Sequence, residues 1–285
     1  MVQFTTLLSL ALPAGFAMGF ANTSSDPTYG NMASTLLELK AADVVGPIIP
    51  EELMSLSGAL QVTFGNTTAE LGSTMPLEKV NATPTFNVNY TSAVADQQLF
   101  FNQLFTVLAF DAGATPEKEN ATVFKHFLSN NLTTIDGELQ NMTGPVTQWS
   151  VPPVEKGTGP HRLVQLIFAQ GPDFAPISAN GTQPPANISF TDYVKQSNLG
   201  KIVAANYFFV QNGTDLNHGV TVEPAPAIPA ESVSAEATSI SASIVAEATG
   251  GAKAFKAANT AVSLAAPGSM LAFASTIVLA IRLAI

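Results

Sequence analysis

The stretch Leu104-Phe105-Thr106-Val107-Leu108-Ala109-Phe110-Asp111 decides the fold. Apart from Thr106 it is apolar at every position up to Asp111, with none of the alternation that marks a half-exposed strand. Successive side chains of a strand point to opposite faces, so such a run must be covered on both sides. It is of strand length, it contains aromatic and β-branched residues, and it reads as a central strand of a sheet that other elements enclose. Asp111 closes it, where a carboxylate faces the mouth of a pocket and not the core.

Working outward, similar runs recur between turn signals. Leu60, Val62 and Phe64 alternate with polar residues and are followed by Gly65-Asn66 as a turn; Phe86, Val88 and Tyr90 repeat the pattern. Val123 to Ser129 and Leu163 to Ala169 are further strands, and Ile202 to Val210 is the last. Helices are few. Asn31 to Ala42 places Met32, Leu36 and Leu39 on one face and stops at Gly46-Pro47. Ser189 to Ser197 carries Ser189 and Asp192 as a cap pair with Phe190, Tyr193 and Val194 turned inward, and Gly200 ends it. The reading is mainly β, a sandwich or folded-over sheet.

The two ends have a different texture. Residues 1–21 hold an uncharged apolar block, Leu7 to Phe20, and finish on small residues, as a secretory signal peptide does. Met270 to Ile285 is a second apolar block of sixteen residues, short of the roughly 20 that a membrane span needs. Small residues and a modestly polar spacer precede it, which is the layout of a glycosylphosphatidylinositol (GPI) attachment signal over 260–285, with Asn259 as the attachment residue. Gly250, Gly251 and Ala258 are other attachment points, and a C-terminal transmembrane helix is the alternative. Residues 223–259 are rich in Ala, Ser, Pro and Glu and read as a disordered stalk, with a helix as the alternative because alanine favours one. The folded domain then spans 22–222, about 200 residues, enough for a single core.

Ten sequons support an extracellular address, on the outer face of the plasma membrane or in a cell wall of fungal type: Asn22, Asn66, Asn81, Asn89, Asn120, Asn131, Asn141, Asn180, Asn187 and Asn212. Chance would supply about three. There is no cysteine, so disulfides, a thiol nucleophile and a cysteine zinc site are all excluded. A net charge of −10 without a basic patch argues against nucleic acid. No Gly-x-Ser-x-Gly elbow and no His-x-x-x-His pair occurs, so the sequence points to no enzyme, metal or cofactor.

The three histidines are therefore informative. His126 lies in a strand-like run, His161 opens another, and His218 stands apart and reads as structural. Two imidazoles beside Asp111 can donate to a phosphate or carboxylate, and the carboxylate favours the protonated ring, so anion affinity is expected to rise as pH falls toward about 6. Trp149, the only tryptophan, reads as a packing or rim residue near Pro152-Pro153.

Three blocks carry a resemblance: Thr106 to Pro116, then Phe124-Lys125-His126-Phe127-Leu128, then Gly157-Thr158-Gly159-Pro160-His161-Arg162. In that order, with Ile49-Pro50 and Leu60-Gln61-Val62 before them and Val203 to Phe208 after, they resemble the signature of the phosphatidylethanolamine-binding protein (PEBP) family over residues 45–212. The resemblance implies a large Greek-key-type sheet packed with a smaller one, and a small pocket for anionic or phospholipid headgroups. It implies that Asp111, His126, His161, Pro152 and Pro153 line that pocket without chemistry. Three departures stand out: Gly113 replaces a second Asp, Leu163 an aromatic, and Val154-Glu155 lengthens a loop. Family members also act on carboxypeptidases and kinases, so regulation of a secreted peptidase is a second expectation. A structural surface glycoprotein with a vestigial pocket, for which Gly113 speaks, is a third.

Overall fold

The computed structural model describes residues 27–90, 100, 103–113, 122–141, 143–156, 160–177, 183–213 and 227–263. The expected signal segment, the tail from 264, His218, and Asn22, Asn120 and Asn180 lie outside them.

Ten strands among these residues form one connected mixed sheet. They are β1 (Ala59–Phe64), β2 (Thr67–Ala69), β3 (Thr74–Pro76), β4 (Thr85–Asn89), β5 (Phe105–Asp111), β6 (Thr122–Ile135), β7 (Glu138–Asn141), β8 (His161–Gln170), β9 (Ala186–Ser189) and β10 (Leu199–Gln211). The order is β2-β1-β4-β7-β6-β5-β8-β10-β3, with β9 paired on β6. All pairs are antiparallel except β10 with β3. The smaller sheet that the resemblance implies is the β2-β1-β4 end of this path, which folds back over the rest. Asn206 Nδ2 on β10 donates to Leu60 O on β1 at 3.0 Å across the fold.

The folding-over explains why Leu104 to Phe110 lacks alternation. Val107 and Ala109 face an inner core with Val62, Phe86, Phe127 and Phe208. Leu108 and Phe110 face an outer core with Val164, Phe168, Tyr207 and three helices. Every residue from Phe105 to Phe110 is buried, Thr106 included, and its hydroxyl donates to Asn130 Oδ1 at 3.0 Å. Leu104 alone is exposed, just before the strand.

The helices are α1 (Pro27–Ala41), α2 (Phe190–Gln196) and α3 (Ala230–Ser263). Met32, Leu36 and Leu39 of α1 are buried as their spacing requires, and Gly46 adopts φ +106 beyond it. In α2, Ser189 Oγ accepts the Asp192 N–H, and Phe190, Tyr193 and Val194 are buried. Gly200 does not end this helix. The chain turns at Asn198, whose φ is +49, and Gly200 lies inside β10, where a Cβ would meet Ala169 O at 2.6 Å.

The expected disordered stalk is corrected over residues 230–246, where the helical alternative is what forms. Ala237, Ile240, Ser241 and Ile244 are buried, and Val233 packs partly against the same core. These positions are three, four and seven residues apart, one face of a helix. Diluted among Ala, Ser and Glu, so thin a stripe does not stand out, but three apolar side chains set on the Leu36 face of α1 are enough to hold it. Asn259 falls within α3. No helix among the described residues is long and apolar enough to cross a membrane.

Candidate anion site

Asp111, His126 and His161 come from three adjacent strands, β5, β6 and β8. Asp111 pairs with Leu163 in register, so His161, two residues before Leu163, lies on the same face as Asp111. Nδ1 of His161 is 2.6 Å from Asp111 Oδ2. The two side chains are 22% and 10% exposed, so this ion pair is shielded but still reachable. The hydrogen bond to Asp111 raises the His161 pKa above its ordinary value, against the opposing effect of burial.

His126 reaches the site through an irregularity in the sheet. The β5–β6 register runs Ala109 to Phe127 and then Phe110 to Lys125, which leaves His126 as the extra residue of a bulge. A bulge re-aims a side chain, and this one turns the imidazole onto Ser150. Nδ1 is 3.0 Å from Ser150 O and 3.1 Å from Ser150 Oγ. Phe124 and Trp149 flank the ring at 4.9 and 6.2 Å between centroids. The residue is fully buried, and Nε2 has no partner among the described residues. Burial pushes its pKa down to about 4, with Asp111 pulling up and His161 pulling down. The expectation that both imidazoles are charged near pH 6 is therefore corrected: His161, its pKa raised by Asp111, is charged there, and His126 stays neutral because its ring is desolvated.

Gly113 takes a part that its identity did not suggest. At φ +76 it turns its N–H onto Asp111 Oδ1 at 2.7 Å. Its carbonyl accepts from Arg162 Nε at 3.1 Å, and Arg162 Nη2 donates to Ala112 O at 2.8 Å and Nη1 to Ala42 O. The buried guanidinium thus pins the turn that holds the carboxylate. Gly113 had spoken for a vestigial pocket, but here it serves to position Asp111.

Pro152 is buried and Pro153 exposed, and their loop is tied to the site through Ser150. The extra Val154 is buried, and its carbonyl accepts from Asn212 Nδ2 at 2.9 Å. Trp149 packs on Phe64 at 5.2 Å and donates to Val80 O. Ser150 and Arg162 are the functional residues that sequence reasoning left without a role. Arg162 stood directly after His161 in a quoted block, whereas Ser150 had no local signal. No group of three His, Asp or Glu among the described residues is placed to hold a metal.

Fold and site together describe a mainly β protein with a carboxylate–imidazole pair bridging β5 and β8. Among curated proteins the chain is similar to the carboxypeptidase Y inhibitor of Saccharomyces cerevisiae, 24% identical over 204 residues that cover 60% of this chain and 92% of that one. Similar solved structures include carboxypeptidase Y inhibitor in complex with its cognate proteinase, at 22% identity and a TM-score of 0.48 over 69% of this chain and 98% of that one. The phosphatidylethanolamine-binding protein of Plasmodium vivax is another, at 14% identity and a TM-score of 0.48 over 62% and 97%. No protein-family model matches the chain.

Proposed function

We propose that this chain is a non-catalytic, extracellular PEBP-like protein whose pocket holds a small anionic or phospholipid headgroup between His161 and His126. The observation that carries this reading is the grouping of a carboxylate-supported imidazole with a buried imidazole whose Nε2 lacks a partner. A buried polar atom left unsatisfied costs about 1–3 kcal/mol, which a ligand that bonds to it recovers. Asp111 keeps His161 charged, so its second ring nitrogen donates to an anionic oxygen. The extracellular address rests on the ten sequons and the two apolar ends, and the GPI anchor at Asn259 on the small-residue run before the tail.

Titration of the full chain with glycerol phosphate, followed by calorimetry, tests the pocket. Wild type binds and His161→Ala does not. Equal binding by both would remove the site from this place.

A second reading, control of a secreted carboxypeptidase, is favoured by the similarity to carboxypeptidase Y inhibitor along 92% of that protein. The two readings separate in one variant. His161→Ala loses the headgroup and keeps inhibition of carboxypeptidase Y if another surface carries that activity, whereas wild type without inhibition rejects the second reading.

A further inference from the structure

A groove of about 230 Å³ runs between α1 and the β2-β1-β4 layer, and no residue of the anion site lines it. Its lining includes Asn31 and Ser34 of α1, Gln61 of β1, Thr68 of β2, Asn89 of β4 and the buried Asn206 of β10. Asn31 and Ser34 are three residues apart on the helix and share a face. In β4, Phe86 and Val88 are buried, so Asn87 and Asn89 turn to the opposite face of the layer. The register sets Gln61 against Asn87 and Ala59 against Asn89, which brings Gln61 and Asn89 to that same face.

The chemistry of the lining selects its occupant. Amides and hydroxyls offer donors and acceptors without charge, and Glu70 is the one ionisable side chain among them. An apolar ligand would strip water from these groups and return no hydrogen bonds, and an anion would face Glu70. A sugar, neutral and rich in hydroxyls, meets both conditions. Asn89 is exposed and opens the sequon Asn89-Tyr90-Thr91, so the wall of the groove is itself a point where a sugar is attached.

We propose that the N-linked glycan of Asn89 lies in this groove, its first sugars bonded by Asn31, Ser34, Gln61 and Thr68, an inference that rests on the extracellular reading above. The Asn89 amide takes the sugar from a lipid-linked diphosphate donor. The new bond joins Nδ2 to the anomeric carbon, the old bond from that carbon to a phosphate oxygen breaks, and the amide gives up a proton as the diphosphate leaves. Attachment makes docking intramolecular, so hydrogen bonds too weak to hold a free sugar suffice. Asn66 and Asn81 are exposed outside the groove, and their sugars have no such cradle.

The test uses the full chain secreted from a eukaryotic host, with an endoglycosidase acting on the folded protein and peptide mapping to follow each sequon. A docked sugar is open to the enzyme only while it is undocked, so release at Asn89 is expected to be at least about tenfold slower than at Asn66 and Asn81. After unfolding, the three rates become equal. Gln61→Trp, a change at an exposed position, fills the groove and is expected to bring release at Asn89 up to the rate at Asn66. Equal rates in the folded wild type, or protection unchanged in Gln61→Trp, overturn the proposal. A bare Asn89 beside glycosylated Asn66 and Asn81 overturns it and leaves the extracellular reading in place, whereas sugar at none of the three overturns both.

Discussion

His161 and Asp111 are joined by a 2.6 Å hydrogen bond between neighbouring strands, and the free oxygen of the same carboxylate is held by the Gly113 N–H. The carboxylate therefore cannot swing away, and the imidazole stays charged to higher pH than an isolated histidine. A raised folded-state pKa gives stability that is complete below the unfolded value, about 6.5, and fades as pH rises through the folded value. Asp111→Asn should lower the His161 titration midpoint in proton NMR and cost about 1.5–3 kcal/mol of stability at pH 6, less at pH 9. An unchanged midpoint would show that the pair contributes nothing to the charge on His161.

His126 acts in the opposite sense. Its folded pKa lies near 4, so the unfolded chain binds the extra proton first, and stability is lost as pH falls from about 6.5 toward 4. The loss is on the order of 3 kcal/mol once pH is below 4. Together the two histidines place the stability maximum close to neutral pH. Thermal melts from pH 4 to 8 should show the acid limb flatten in His126→Phe, which removes the titrating group and keeps an aromatic ring between Phe124 and Trp149. An acid limb unchanged in that variant would assign it to carboxylates instead.

Gly113 is strained for any residue with a Cβ. At φ +76, Gly113→Ala should cost about 1–2 kcal/mol and loosen Asp111, so the melting temperature and the His161 titration midpoint should fall together. A melting change with the titration intact would mean that the carboxylate is held without the turn.

What was legible in the sequence and what was not follow from the same physics. Burial on both faces of β5 writes itself as an apolar run, and the β1 and β4 alternations record one exposed face. The apolar pattern marks β6 only over Val123 to Ser129 although the strand continues to Ile135, because Asn130, Asn131, Thr133 and Thr134 break it. Asn130 is buried all the same, satisfied by Thr106 on the neighbouring strand. β3 is three residues long and forms only against β10, more than a hundred residues later. In the site, the histidines and Asp111 were visible as side chains of the right type. The parts of Ser150 and Gly113 were not, since one works through a carbonyl and the other through an N–H, groups that nearly every residue has.

The packed half of α3 separates a domain element from a stalk. Ile240 and Ile244 are 8% and 3% exposed, so Ile240→Asp or Ile244→Asp should cost at least about 2 kcal/mol through lost burial and a carboxylate placed on the core. The variant melts at lower temperature than one changed at exposed Glu231. A melting temperature indifferent to both substitutions would return residues 230–246 to the role of a tether.

Not all sequons can carry a glycan in the folded protein. Asn141 Oδ1 accepts from the N–H groups of Thr143 and Gly144 at 2.7 and 2.9 Å, and its Nδ2 donates to the buried Ser129 hydroxyl. Asn212 Nδ2 likewise donates to Val154 O. A sugar is attached at that same nitrogen, so it would have to displace these contacts and stand where Ser129 or Val154 is packed. Asn66, Asn81 and Asn187 are exposed, in the β1–β2 turn, beyond a short 3-10 turn and on the edge strand β9. Glycans are added before folding is complete, and a chain modified at Asn141 would fold poorly and be held back in the cell. Peptide mapping of the secreted, folded fraction from a eukaryotic host should therefore find sugar at Asn66, Asn81 and Asn187 and none at Asn141 or Asn212. Full occupancy of Asn141 in that fraction would mean that the β6–β7 hairpin forms without its Asn141–Ser129 bond.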